Sequence, residues 1–136
     1  MESLNLQGIE GLRESPVTAM LGGVIRCIDD SYSRLECDYI GTEEFRNPAG
    51  NLQGGMLSAM LDDLTAWLVT VGIDKSARCA TLSLTTSFIR PAIPGQLQGR
   101  ATMIRRGRTV CHVEGELWQE GTLIATARAV CAIVRS

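Results

Sequence analysis

One stretch of this chain, from Gly54 to Gly72, holds two adjacent aspartates and no other charged or histidine side chain. A helix so poor in charge has little reason to face water, so we expect the rest of the chain to surround it. Its larger apolar residues recur at the spacing of one narrow helical face. The stripe that this spacing defines is Leu57, Leu61, Leu64, Leu68 and Val71.

The aspartate Asp62 lies on a second face of this helix, about 140° from the apolar stripe. A carboxylate in such an element is expected to be paired or functional. The alternative is that Asp62 and Asp63 both lie on an exposed face and have no role. Residues small enough to admit another backbone or a ligand share the face of Asp62, namely Gly55, Ser58, Ala59, Thr65 and Ala66.

Two glycines, Gly54 and Gly55, stand at the predicted start of the helix. Free N–H groups at a helix N-terminus can polarise an oxyanion, so this end of the helix is a candidate for stabilising negative charge. The alternative is that the two glycines only form a flexible loop end. The sequence pattern by itself is compatible with both interpretations.

Segments of alternating apolar and polar residues flank the helix and predict β-strands. Two strands precede it, at 21–29 and 33–40, with a turn at Asp29–Asp30–Ser31 between them. Four strands follow it, and we expect these four to form a meander. They are predicted at 79–89, 96–105, 109–119 and 122–134.

These elements predict a single α+β domain over residues 1–136, in which an antiparallel sheet of about six strands wraps around one long central helix. Residues 1–19 are expected to form an N-terminal extension, with a short helix over 2–14. The strand at 79–89 alternates strictly, which predicts one buried face. Its two faces are Leu82, Leu84 and Phe88 against Thr81, Ser83, Thr85 and Ser87.

Composition argues against several classes of partner. A formal net charge of −2 is unfavourable for a nucleic-acid or anionic-membrane surface. The start of the chain has no signal-peptide pattern, and no apolar run approaches the ~20 residues of a membrane span. We therefore expect a cytoplasmic protein whose partners are neither nucleic acid nor membrane.

The chemistry of the remaining reactive side chains is constrained by their spacing. The five cysteines are scattered and show no C-x-x-C spacing, which favours buried free thiols over disulfides or zinc. The sole histidine, His112, follows Cys111 on a predicted strand, so the two side chains point to opposite faces. The one basic cluster is either a solvated hairpin turn or a site for a phosphate-bearing ligand. It consists of Arg105, Arg106 and Arg108 around Gly107.

The order of these motifs resembles the hotdog-fold acyl-CoA thioesterases, specifically the phenylacetate-degradation subgroup. Asn47 precedes Gln53-Gly54-Gly55 by the family's spacing, and Asp62 follows Gly54 by eight residues. A Thr/Ser-rich strand ending in Arg-Pro-Ala, a Gly-Arg hairpin and a final Gly-x-Leu-Ile-Ala-x-Ala strand complete the pattern. The resemblance covers roughly residues 20–135.

The resemblance implies roles for particular residues. Asn47 and the Gly54 amide would hold the thioester carbonyl oxygen, and Asp62 would be the nucleophile or general base. Thr81, or Ser83 in its place, would supply a hydroxyl that places water or the carboxylate. Members of the family commonly have histidine where this chain has Gln53, which can hydrogen-bond but cannot titrate near neutrality. Gly55 and the cluster Arg105, Arg106 and Arg108 are the candidates for contacts to coenzyme A.

Gly54 and Asp62 are eight positions apart, which corresponds to about 12 Å of helical rise, too far for both to act on one carbonyl. We therefore expect an isologous homodimer in which each site is shared. As a separate expectation, two such homodimers would form a dimer of dimers. Such a site needs no metal or cofactor, since coenzyme A is part of the acyl-CoA substrate. Two alternatives are a non-catalytic acyl-CoA-binding protein and a hotdog dehydratase, the latter disfavoured because the sole histidine is far from the helix motif.

Overall fold

The computed structural model describes residues 15–135. It contains a short helix α1 (Pro16–Met20), a 3-10 turn (Glu43–Phe45) and a long helix α2 (Gly54–Thr70). The helix predicted over residues 2–14 lies outside the described residues. Six strands complete the fold, namely β1 (Val24–Ile28), β2 (Arg34–Gly41), β3 (Ala77–Phe88), β4 (Gly95–Arg106), β5 (Val110–Gln119) and β6 (Thr122–Arg135).

All six strands form one antiparallel sheet in the order β1-β2-β4-β5-β6-β3. Helix α2 lies across one face of this sheet and packs against every strand from β2 to β6. The predicted α+β architecture, with a sheet of six strands around one central helix, is confirmed. The predicted turn between β1 and β2 is also present, because the Asp29 carboxylate accepts hydrogen bonds from the amides of Ser33 and Arg34.

The prediction that the last four strands form a meander is wrong for one of them. Strands β4, β5 and β6 are consecutive neighbours, but β3 pairs with β6 at the far edge of the sheet, from Ala77↔Arg135 to Phe88↔Ala125. The place beside β4 is taken by β2. Alternation of apolar and polar residues indicates which face of a strand is buried, but it carries no information on which strand lies next to it.

The core is built on the predicted stripe of α2. Leu57, Leu61, Leu64 and Leu68 are all at most 3% exposed, and Val71 lies half-buried at the end of the helix. Two strand glycines let the helix come close to the sheet. A Cβ at Gly99 would lie 3.0 Å from the Leu64 side chain, and one at Gly115 would lie 3.1 Å from the Thr65 side chain.

Strand β3 contains a bulge that changes which of its residues face the helix. Thr81 pairs with Cys131 and Ser83 with Val130, so Leu82 is the extra residue. The side chain of Leu82 is 63% exposed, whereas Thr81 and Leu84 both turn towards α2. The prediction of strict alternation through 79–89 is therefore wrong at the bulge, which moves Thr81 to the same side as Leu84.

The second aspartate of α2, Asp63, holds the short helix α1 against the core. Its carboxylate accepts hydrogen bonds from the Thr18 hydroxyl at 2.6 Å and from the Tyr39 hydroxyl at 2.8 Å. The indole N–H of Trp67 donates to the Thr18 hydroxyl at 3.1 Å. Burial raises the pKa of Asp63 despite these hydrogen bonds. Asp63 is thus a structural residue, and the interpretation that both aspartates lie idle on a solvated face is wrong.

Candidate active site

The N-terminus of α2 presents two backbone N–H groups that have no hydrogen-bond partner among the described residues. Gln53 is the residue before the helix, and its carbonyl accepts from the amides of Met56 and Leu57. No hydrogen bond within residues 15–135 uses the amides of Gly54 and Gly55. A Cβ on Gly54 would lie 3.1 Å from the ring of Phe88. The absence of a side chain at Gly54 therefore lets the helix end approach strand β3.

Asn47 closes the turn that leads into this helix. Its Oδ1 accepts hydrogen bonds from the amides of Ala49 at 3.0 Å and Asn51 at 3.1 Å, and its own amide donates to the Asn51 carbonyl at 2.7 Å. These bonds fix the side chain through its oxygen. The Nδ2 group makes no hydrogen bond within the described part of the chain, so it is available to donate to a ligand oxygen.

A pocket of about 290 Å³ brings Asn47 and Gly54 together, as their proposed common role requires. Its walls also contain Phe88 and Arg90, for which the sequence pattern predicted only a place in the strand that ends in Arg-Pro-Ala. Both were missed because their significance depends on β3 ending beside the start of α2. The pocket is lined by Asn47, Asn51, Leu52, Gly54, Leu57, Phe88, Ile89, Arg90 and Pro91.

Asp62 forms the second half of the candidate site. The Thr81 hydroxyl donates to Asp62 Oδ1 at 2.8 Å. Thr81 reaches the carboxylate because the bulge at Leu82 turns it towards the helix, whereas Ser83 is exposed. Of the two hydroxyls considered, Thr81 is the one that contacts Asp62. A carboxylate held in this way has one oxygen oriented by a donor and the other available to a reactant.

A single chain does not unite these two halves. Gly54 and Asp62 lie on the same helix, eight residues and about 12 Å of rise apart. Asn47 and Gly54 occupy one end of this span, and Asp62 and Thr81 occupy the other. Groups that act on one carbonyl must lie within about 3.5 Å of the reacting atoms.

The basic hairpin lies at the other end of α2. The Arg106 guanidinium donates to the carbonyls of Leu68, Val69 and Tyr32 at 2.9–3.2 Å, so it caps the C-terminus of the helix. A Cβ at Gly72 would lie 2.6 Å from this guanidinium, so a side chain there would have to displace it. These contacts give Arg106 a structural role, and the coenzyme A contact expected of this cluster stays a prediction. The other two arginines of the cluster, Arg105 and Arg108, are exposed.

The other predicted residues are placed as follows. The Gln53 side chain is exposed and makes no hydrogen bond to the helix end. Cys111 is buried and His112 is exposed, so the prediction that they point to opposite faces is confirmed. All five cysteines are free thiols, three of them buried. Residues 15–135 contain no cluster of ligands suited to a metal ion, and none of their helices is long and apolar enough to cross a membrane.

Comparison with known proteins identifies the family to which this fold belongs. The family model of the acyl-CoA thioesterase N-terminal domain matches residues 44–132. A phenylacetic acid degradation-related protein from Ralstonia eutropha JMP134 is 55% identical, with 89% of this chain and 95% of that chain covered and a TM-score of 0.85. No curated protein matches the chain.

Two more distant structures share the fold. A thioesterase from Haemophilus influenzae is 18% identical, with 98% of this chain and 93% of that chain covered and a TM-score of 0.84. A thioesterase family protein from Silicibacter pomeroyi is 21% identical, with coverages of 96% and 98% and a TM-score of 0.86. The architecture is therefore the hotdog fold of thioester hydrolases. The chain belongs to the acyl-CoA thioesterase family, and the resemblance seen in its sequence is confirmed.

Proposed function

We propose that the protein hydrolyses an acyl-CoA thioester to the free acid and coenzyme A, with Asp62 as nucleophile or general base. The Gly54 amide and Asn47 Nδ2 of the partner subunit hold the thioester carbonyl oxygen. The observation that carries this proposal is the hydrogen bond from the Thr81 hydroxyl to Asp62 at 2.8 Å. This pair lies eight residues along the helix from the Gly54 amide of the same chain.

The proposed reaction needs only two kinds of group. A thioester is an activated acyl donor, so its hydrolysis requires a donor set for the developing oxyanion and a carboxylate to attack or to activate water. The pocket at Gly54 supplies the donors, and Asp62 supplies the carboxylate. Gln53 is restricted to hydrogen bonding, and no step of the proposed reaction uses a cofactor or a metal.

The edge strand β3 supports the shared site. It is 12 residues long and has no neighbour on its outer side within the described chain. Apolar side chains are exposed along and just beyond it, with Leu82 at 63%, Phe88 at 54% and Ile89 at 49%. A long apolar edge is a template for pairing with another strand. A second copy paired antiparallel along β3 would bring its Gly54 towards Asp62, and two such dimers can form a tetramer.

The proposed chemistry is tested by release of free thiol from a panel of acyl-CoA substrates. Asp62→Asn should reduce kcat by about 10²-fold or more, the scale expected for a positioned base. Asp63→Asn is the matched control, because it removes the neighbouring carboxylate but not the group beside Thr81. Equal losses in the two variants would contradict the assignment. Binding of acyl-CoA by the wild type without thiol release would favour the alternative of a non-catalytic binding protein.

The shared site is tested by subunit complementation. Chains carrying Asp62→Asn are mixed with chains carrying Asn47→Ala under conditions that exchange subunits. A heterodimer then has one site with both defects and one site with neither. Its activity should recover towards half the wild-type value, although each parent is impaired. Heterodimers that remain as inactive as the parents would mean that each site is built within one chain.

A further inference from the structure

The loop at residues 89–94, between β3 and β4, forms a wall of the Gly54 pocket through Ile89, Arg90 and Pro91. Prolines at 91 and 94 remove two of the backbone donors that a loop of this length would have. The loop therefore has few groups of its own with which to hold its shape. Its conformation depends on contacts that other segments make with it.

Two of these contacts are made by backbone groups. The Ile124 carbonyl accepts from the amides of Ile89 at 2.7 Å and Arg90 at 3.1 Å, which continues the pairing of β3 with β6 into the loop. The Ala92 carbonyl accepts from the Leu52 amide at 2.8 Å. Ala92 is fully buried, and Leu52, one residue before the start of the helix motif at Gln53, is 4% exposed. The loop thus connects directly to the segment that leads into α2.

The third contact is made by a side chain. The amide group of Gln119, the last residue of β5, pairs with the backbone of Ile93 in both directions. The Ile93 amide donates to Gln119 Oε1 at 3.0 Å, and Gln119 Nε2 donates to the Ile93 carbonyl at 2.8 Å. Gln119 Nε2 also lies 3.4 Å from the Gln96 carbonyl. The Gln119 side chain therefore binds the backbone of Ile93 as a neighbouring strand would, with one donor and one acceptor.

We propose that Gln119 is a positioning residue for the half of the active site that holds the carbonyl oxygen. It fixes Ile93, and the adjacent Ala92 carbonyl fixes Leu52 at the approach to Gly54. The inference rests on the proposed function, since it assumes that Gly54 and Asn47 bind the thioester oxygen. Gln119 touches no reacting atom, and its effect passes through the loop.

The first test compares kinetic parameters. Gln119→Ala should lower kcat about tenfold and leave KM within about twofold, because a displaced oxyanion donor is felt most in the transition state. Gln119→Met keeps the length of the side chain without its polar atoms and should lose as much. Gln96→Ala is the matched control, because that side chain donates only to Asp38 on the outer side of the sheet. A kcat for both Gln119 variants within twofold of Gln96→Ala would overturn the inference. Full activity in Gln119→Met alone would also contradict it, because the loop would then be held by packing of the side chain and not by its hydrogen bonds.

The second test locates the defect by complementation. A Gln119→Ala chain mixed with an Asp62→Asn chain should regain activity in the heterodimer, because the intact site takes Asp62 from the former and its oxyanion side from the latter. The pair Asn47→Ala with Asp62→Asn is run beside it. If that pair fails to complement, the shared-site proposal is wrong. If it complements and the Gln119 pair does not, the defect of Gln119→Ala lies elsewhere in the chain and the positioning role is wrong.

Discussion

Substitutions of the two adjacent aspartates of α2 should have different effects. Replacing Asp63 should lower stability, and replacing Asp62 should lower activity. Asp63→Ala removes the acceptor of two hydroxyls, those of Thr18 and Tyr39, whose residues are both fully buried. The Thr18 hydroxyl can turn to Ser15, which lies 3.1 Å away, whereas the Tyr39 hydroxyl is left with the Cys37 thiol, a weak acceptor. The perturbation therefore leaves one buried donor poorly satisfied and removes one further charge-assisted hydrogen bond.

The cost follows from these two losses. A buried unsatisfied donor costs about 1–3 kcal/mol, and a hydrogen bond to a charged group contributes about 1.5–3 kcal/mol. Relief from burying the Asp63 carboxylate, whose pKa is raised mainly by desolvation, offsets part of this. We expect Asp63→Ala to lower the free energy of unfolding by about 3 kcal/mol. Asp63→Asn keeps one acceptor and should cost about 1 kcal/mol.

Urea unfolding followed by tryptophan fluorescence measures this loss, since Trp67 donates to the Thr18 hydroxyl that Asp63 holds. Protein concentration is kept fixed, because association stabilises the folded chain. Asp62→Ala, which loses only the hydroxyl of Thr81, is the control and should cost less than about 1 kcal/mol. If Asp63→Ala unfolds within about 0.5 kcal/mol of the wild type, or no earlier than Asp62→Ala, the structural role of Asp63 is wrong.

The pKa of Asp63 adds a pH signature to the same experiment. Its folded-state pKa is raised above the ordinary value of 3.8, so the native state binds this proton more tightly than the unfolded state. This group therefore makes stability fall as pH rises from about 3.8 through the raised pKa. The contribution is constant above that interval. In Asp63→Asn the interval should show no such fall, and an unchanged pH slope in the variant would refute the assignment.

Three further predictions concern residues away from Gly54 and Asp62. The double variant Arg105→Glu with Arg108→Glu should raise KM for acyl-CoA about tenfold or more with little change in kcat, and KM for short thioesters without a nucleotide should not change. Equal effects on both substrates would mean that the hairpin is only a solvated turn. Arg106→Met should lower the free energy of unfolding by about 2 kcal/mol in a urea titration, because it uncaps the helix; wild-type stability would exclude the cap. Burial alone would raise the pKa of Asp29, but hydrogen bonds from Ser33, Arg34 and Ser31 outweigh it and lower the pKa to about 2. Asp29→Asn should therefore lower the free energy of unfolding by about 1 kcal/mol near neutrality after discounting for exposure. This difference from the wild type should disappear as pH falls from about 3.8 through 2. A difference that persists at pH 2 would mean that it does not come from the lowered pKa of Asp29.

Local features of the fold were predictable from the sequence because their signals are local. The absence of charge over Gly54–Gly72 and the spacing of its leucines located the central helix to within two residues at its end. Alternation located all six strands, and the Asp29 turn follows from side-chain hydrogen bonds to amides four and five residues on. The order of strands was not predictable in the same way, because the paired residues of β3 and β6 lie far apart in the chain, as Phe88 and Ala125 or Ala77 and Arg135 do.

The residues of the candidate site could also be predicted only where their signal is local. The residues Asn47, Gly54 and Asp62 could be singled out, since each belongs to a motif with a fixed spacing. The contact between Asp62 and Thr81 depends on the bulge at Leu82, which breaks an otherwise strict alternation. Nothing in the local pattern marks a bulge in advance, so the predicted faces of this strand were wrong where they matter for the site.

The same limit explains why Asp62 and Asp63 could not be distinguished by residue type. Consecutive positions on a helix project about 100° apart, so one carboxylate faces β3 and the other faces α1 and β2. Their partners lie 19 residues away for Asp62 and 45 and 24 residues away for Asp63. Asp63 is enclosed by donors that occupy both of its oxygens, whereas Asp62 has a donor on one oxygen only within residues 15–135. Because a carboxylate with a free oxygen can still meet a reactant, the fold gives Asp63 a structural role and leaves Asp62 open to the chemistry proposed for it.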